Sequence, residues 1–235
     1  MNILRFTIDN SAQIIGYLRR HRKIAPKSID GVVKINLGCG MAVAKGWTNI
    51  DGSLNALASS WPHFMHKILY RASGSSHYYS IHEYCSILED NIFIHHVLSY
   101  GIPFVDESVD VVYSSHFLEH LHQHEAMHLL KETLRVLKPG GLVRICIPDL
   151  SYAICLYSLG KKKQMLSDYF FVETKESYFA RHKYMYDFEL LSESLSAAGF
   201  VNIVRCSYRQ GNAPDLNSLD NRPEETLFVE ANKFT

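Results

Sequence analysis

Within the segment SSHFLEH, Ser114, Ser115, His116, Glu119 and His120 have side chains able to move a proton or hold charge. Imidazole titrates near neutral pH, hydroxyls donate and accept, and a neighbouring carboxylate can orient a histidine ring. His116 therefore reads as a candidate general base, with Glu119 and His120 placed to orient it or to meet a substrate. Upstream, Gly38-Cys39-Gly40 forms a glycine turn that lets backbone N–H groups come close to a ligand. Asp51 follows at the end of a short apolar run, where a carboxylate can accept from both hydroxyls of a ribose. His182 and Tyr184, in RHKYMYD, are weaker candidates for lining the substrate side.

The elements that must position these groups are visible in the apolar pattern. Residues 109–113 form a buried-type strand that breaks into Ser114-Ser115-His116. A helix pattern follows, with Met127, Leu130, Leu134 and Leu137 on one stripe, and Lys138-Pro139-Gly140-Gly141 is expected to end it in a tight turn. A second apolar run, 142–147, completes a βαβ unit. Residues 32–37 and 47–50 form a second pair of strands, ending at the glycine turn and at Asp51. The link between them, about ten residues, is near the lower limit for a parallel crossover and leaves room for one helical turn. In such sheets ligands bind beyond the carboxyl ends of the strands, which is where both residue groups fall. A lone GxG is weak evidence; the glycine turn, the acid at the next strand end and the KPGG segment together are strong.

These motifs resemble those of the class I S-adenosylmethionine (SAM) dependent methyltransferases, in particular the bacterial methyltransferase type 11 group with SSHxLEHL after the fourth strand. INLGCG resembles the first SAM motif, WTNID the ribose-binding strand end, and LRVLKPGGLVRICIPDL the region around the fifth strand. HKYMYDFELLSESLSAAGF and DNRPEETLFVEA resemble the closing segments, so the likeness covers roughly residues 30–232. It implies an α/β fold: a doubly wound, seven-stranded, mainly parallel, Rossmann-like sheet. Residues 200–206 and 227–231 would be its final strands, the last of them antiparallel. It implies SAM as cofactor, with Gly38, Cys39 and Gly40 at the methionine end, Asp51 on the ribose, and Ser114 and Ser115 bounding the pocket. Asn36 stands where relatives often carry an acid toward the methionine amine. His96, with Val97 beside it, stands where an aspartate would accept from the adenine amine. A neutral imidazole can still accept through one ring nitrogen. The acceptor suggested by the resemblance is a small molecule or glycan, often a sugar hydroxyl in bacterial polysaccharide tailoring, and the residues themselves do not identify it.

Composition is consistent with one domain across residues 1–235. It carries a basic N-terminal helical extension (about 1–30) and an insert rich in aromatics and histidine (about 53–92). A formal net charge of zero argues against a chain built to grip nucleic acid. The first 34 residues hold seven basic side chains against two acids, and Ala12, Ile14, Ile15 and Leu18 fit one side of a short helix ending near Pro26. Five cysteines in no metal-like spacing suggest reduced thiols and a cytoplasmic protein, and no signal peptide or membrane span is expected. His116, His120, His124 and His128 recur every four residues. No Cys pair accompanies them and the long helix is expected to start only near His122, so no metal site is expected.

Two other classes fit parts of the pattern. Asn36 and His96 would suit a non-catalytic relative that keeps the fold as a binding or scaffold protein. A nicotinamide dehydrogenase would explain a GxG turn, but GCGMAV lacks its glycine fingerprint and Asp51 follows Gly38 by 13 residues, against roughly 20.

Overall fold

The structure is a computed structural model that describes residues 14–26, 28, 31–72, 74–170 and 181–235. Its centre is one seven-stranded sheet: β1 (Lys34–Leu37), β2 (Thr48–Asp51), β3 (Ile92–His95), β4 (Val109–Ser115), β5 (Leu137–Pro148), β6 (Phe200–Cys206) and β7 (Thr226–Lys233). The order is β3-β2-β1-β4-β5-β7-β6; β7 runs antiparallel to both its neighbours and the other pairings are parallel. Connections leave β1 toward β2 and β3, and leave β4 toward β5. The direction of winding therefore reverses between β1 and β4, which opens a crevice beyond their carboxyl ends. Leu37 pairs with Ser114 there, so the glycine turn and the SSH segment emerge side by side.

The strands are apolar because both faces are covered. Ile35, Leu37, Ile50, Val112, Ile145 and Val229 lie in one core with residues of the helices α4 (Gln123–Val136) and α6 (Phe188–Ala198). Helix α4 buries Ala126, Leu129, Leu130, Thr133 and Val136. Of the expected stripe, Leu130 and Leu137 are buried, while Met127 and Leu134 are half-buried and pack against the edge of the same core. The KPGG segment is not a simple turn. Leu137 already pairs with Val109, and Leu142 with Val111, so residues 138–141 bulge within β5. Asp110 fixes the bulge: its carboxylate accepts from Lys138 Nζ at 2.8 and 2.9 Å and from the Val33 N–H at 2.8 Å.

The insert forms α1 (Leu54–Ala58), α2 (His63–Ala72) and α3 (Ile81–Asp90), with Pro62 at the break between the first two. A capping box of Ser80 and Glu83 starts α3. Residues 38–47 hold turns and no helix, in keeping with a link too short for a full crossover helix. Helical residues 14–19 touch the domain through Gly16, where an added Cβ would meet Val97 Cγ2 at 2.3 Å. Ile14 and Leu18 are 61% and 74% exposed, so the face expected from their spacing is not the packed one; Ala12 lies outside the described residues. Helix α5 (Leu150–Ser158) starts at the N-cap Asp149, directly after β5.

Across the other sheet face runs a buried ion network that the sequence did not reveal. Arg144 on β5, fully buried, donates to both carboxylate oxygens of Asp220 at 3.0 and 2.6 Å and to Glu230 at 2.9 Å. Tyr113 donates to Asp220 as well, and the backbone N–H groups of Arg209, Asn212 and Ala213 complete the two carboxylates. The network ties the segment between β6 and β7 to the sheet, which brings Arg222 and Thr226 to the crevice.

Candidate active site

The glycine turn and the β2 tip are bound to each other. The Asp51 carboxylate accepts from the Gly40 N–H at 2.9 Å and from the Ser53 N–H at 2.7 Å, and Gly38 N–H donates to Ile50 O at 2.9 Å. These bonds hold Asp51 at the crevice with a lone pair on each oxygen still available to a diol. Gly40 has φ +52° and open space where a side chain would lie, whereas the Phe117 ring covers Gly38. Cys39 is buried, and burial with the Asp51 charge nearby pushes its thiol well above the ordinary range, so it serves as a small neutral wall. The open backbone over Gly40 and the buttressed carboxylate fit a nucleoside-type cofactor.

The other expected cofactor contacts are arranged differently. Asn36 is buried and donates to Ala42 O at 2.9 Å and Asn49 Oδ1 at 3.2 Å, so its amide clamps the turn from below. Ser114 donates to Leu37 O at 3.2 Å, joining the two strand ends, and Ser115 is half-buried next to it. Val97 packs between Gly16 and Gly52. His96 is buried against the Gly101 backbone with Lys23 and Glu132 nearby, and its Nε2 has no hydrogen-bond partner among the described residues. Burial pushes its pKa down to about 4, which keeps the ring neutral.

Past β4 the chain turns sharply. His116 has φ +51°, a left-handed conformation that costs roughly 1–2 kcal/mol for a residue with a side chain. Its N–H donates to Cys146 O at 2.8 Å, which fixes the strained residue to β5. Its Nε2 lies 3.0 Å from Thr226 Oγ1, and its Nδ1 faces the Glu119 carboxylate at 3.6 Å and the exposed Arg222 guanidinium at 3.4 Å. Thr226 can donate or accept, so it serves either ring tautomer.

Glu119 is 1% exposed, and neither of its oxygens has a hydrogen-bond partner among the described residues. His120 Nε2 is 3.8 Å away, and His182 is the third member of the cluster, its ring centroid 5.2 Å from that of His120. Burial pushes the Glu119 carboxyl up, but the imidazoles of His116 and His120 outweigh it and the net shift is downward. The backbone explains why His182 arrives here: the N–H groups of Lys183 and Tyr184 donate to Glu119 O at 2.8 and 3.2 Å. The histidines spaced by four do not share a helix face, because α4 begins only at Gln123 with His122 as its N-cap.

Thr226 also borders an open cleft of about 500 Å³ lined by Asp149, Ser151, Tyr152, Arg205 and Tyr208. Sequence reasoning missed Thr226 and this cleft, since no local motif marks them. A second cavity, about 330 Å³, lies away from this chemistry, between residues 19–25 and the β3 edge.

Comparison with known proteins agrees with this geometry. A family model described as "Methyltransferase domain" matches residues 85–145, which span α3 to β5 and contain the SSH segment. An uncharacterized methyltransferase of Mycobacterium tuberculosis is 43% identical over 69 residues, covering 29% of this chain and 24% of the relative. One from Mycobacterium leprae is 42% identical over the same length. The chain thus spans about a quarter of the length of the curated relatives it matches. A SAM-dependent methyltransferase structure from Archaeoglobus fulgidus superposes with TM-score 0.50 at 14% identity, covering 97% of this chain and 94% of that one. The apo form of the SAM-dependent methyltransferase SibL gives 0.51 at 16% identity, covering 87% and 51%. By fold and by its central segment, the chain is similar to class I SAM-dependent methyltransferases. The residues present fit the cofactor of such proteins: Gly38 to Gly40 and the buttressed Asp51 carboxylate would form a cradle for the nucleoside of SAM. Among the described residues no helix is long and apolar enough to cross a membrane, and all five cysteines are free thiols.

Proposed function

We propose that this chain transfers the methyl group of SAM to a hydroxyl of a small-molecule or glycan acceptor, with His116 taking the hydroxyl proton. SAM, when bound, supplies a methyl group on a positively charged sulfur, open to in-line attack. The protein's part is to align donor and acceptor and to remove a proton. Asp51, held by the Gly40 and Ser53 N–H groups, would hold the nucleoside through its remaining lone pairs. His116, at the end of β4, would carry the proton through Nε2, directly or by way of the Thr226 hydroxyl. Glu119, buried below Nδ1, would stabilise the imidazolium that forms, and His120 would complete that contact. The observation that carries this reading is the His116–Glu119–Thr226 cluster at the mouth of the crevice.

The cleft beside Thr226 suits a hydroxylated acceptor, because Asp149, Ser151 and Arg205 can hydrogen-bond to it while Tyr152 and Tyr208 offer flat faces. The test pairs two measurements on His116→Ala. Transfer of labelled methyl from SAM to an identified acceptor should fall roughly 10²–10⁴-fold while SAM affinity is retained. Unchanged transfer would remove His116 from the chemistry, and lost SAM affinity would assign it to the cofactor pocket.

A further inference from the structure

Glu119, His120 and His182 bring three ligand atoms within 4.8 Å of one another, from a loop after β4 and a segment 62 residues later. The hydrogen bonds around them decide what those atoms offer. His182 Nδ1 lies 2.7 Å from Tyr169 O, and His120 Nδ1 lies 3.2 Å from Arg181 O. A carbonyl oxygen can only accept, so each neutral ring carries its hydrogen on Nδ1 and presents the lone pair of Nε2. This is how outer carbonyls fix histidine ligands in metal sites. Both rings are then next to a buried carboxylate whose oxygens have no donor among the described residues. Lone pairs on three converging atoms repel one another unless a positive charge lies between them.

We infer that Glu119, His120 and His182 form a binding site for a divalent transition-metal ion. Two imidazoles and one carboxylate favour zinc, manganese or iron over magnesium or calcium, which prefer all-oxygen sets. With bonds of about 2.1 Å, ligand atoms across such an ion lie roughly 3–4 Å apart, so a cluster whose atoms lie within 4.8 Å of one another needs to contract by up to about 1–2 Å. Three protein ligands leave a position open, as catalytic sites do. Resting on the methyl-transfer reading above, that position would take the acceptor hydroxyl and acidify it beside His116. The proton would pass to His116, the alkoxide oxygen would form its bond to the methyl carbon, and the carbon–sulfur bond would break to leave neutral thioether. The expectation of no metal came from the lack of a Cys pair and the late start of the long helix; the convergence here is between separate segments.

The test uses full-length protein freed of metal by chelator and titrated with cobalt(II) chloride. Its visible absorption reports ligand number, and calorimetry gives the stoichiometry. One ion per chain is expected, with affinity lowered more than about 100-fold in His182→Ala and Glu119→Gln, beyond the 10–100-fold commanded by outer-shell partners. Thermal unfolding of each variant shows whether it is folded, and His182→Gln is the milder substitute. Absence of binding overturns the inference. So does binding that survives these changes and is lost in His63→Ala, which would place the ion at His63, His66 and Glu89. SAM binding by the same metal-free protein separates the two claims. Cobalt bound without any SAM binding supports the metal site while contradicting methyl transfer; SAM bound without cobalt leaves the transferase and removes the ion.

Discussion

The Phe117 ring lies directly on the backbone of Gly38: a Cβ at residue 38 would fall 2.1 Å from the ring's Cγ. The first residue after β1 and the second after β4 are therefore interlocked, and the glycine turn owes its shape to a side chain outside its own motif. Gly38→Ala should displace Phe117 and loosen the crevice, in addition to the left-handed strain at φ +63°. Gly40→Ala, with open space around it, should suffer the conformational cost alone, roughly 1–2 kcal/mol. SAM affinity should therefore fall further in Gly38→Ala than in Gly40→Ala, and Phe117→Ala should rescue part of the Gly38→Ala loss. Equal losses in the two glycine variants, with no rescue, would contradict the interlock.

His96 gives a pH dependence with a definite sign. Burial holds its folded pKa at about 4 against an ordinary 6.5, so between these values the unfolded chain binds more protons. Its contribution to stability is complete above pH 6.5 and is lost as the pH falls through about 4. Allowing for partial solvent screening, the loss is on the order of 2 kcal/mol. His95, lowered by burial as well, adds in the same direction. Urea unfolding at pH 7.5, 5.5 and 4.5 should show a shallower dependence in His96→Asn than in the parent; parallel curves would mean His96 titrates normally. The same shift moves the expected effect on SAM. If the ring accepts from the adenine amine, affinity should stay level from pH 8 to 5, and His96→Ala should weaken it across that range. A silent His96→Ala would take the residue away from the adenine.

The buried Arg144 network makes an unequal pair of substitutions informative. Asp220→Ala leaves the Arg144 guanidinium buried with one carboxylate and should cost about 3–5 kcal/mol in urea unfolding. Arg144→Met with Asp220→Asn and Glu230→Gln removes the charges together and should cost less than Asp220→Ala alone. A larger cost in the triple variant would show that the ions stabilise the fold outright.

Much of this architecture was legible from local chemistry. Strands buried on both faces read as apolar runs, Pro62 separated two helices, and the glycine turn and Asp51 marked two strand ends that meet at the crevice. What escaped the sequence depends on distance along the chain. Thr226 reaches His116 from 110 residues away, and His182 joins Glu119 only because Lys183 and Tyr184 hydrogen-bond to its carbonyl. No period or spacing encodes such contacts. Asn36 has a second task that its position on β1 did not suggest: its amide N–H groups are committed to Ala42 and Asn49, which leaves Oδ1 as the atom able to meet a ligand amine. The KPGG bulge was misread because its partner, Asp110, lies on another strand.

The central claim is that the crevice between β1 and β4 binds SAM, and calorimetric titration of SAM into the purified full-length chain tests it most directly. One site per chain is predicted. Asp51→Ala should weaken it by roughly 1–3 kcal/mol, since it removes a charge-assisted acceptor and the bonds that hold the Gly40 and Ser53 N–H groups. No heat with SAM or its demethylated product, or binding that Asp51→Ala leaves untouched, would contradict it.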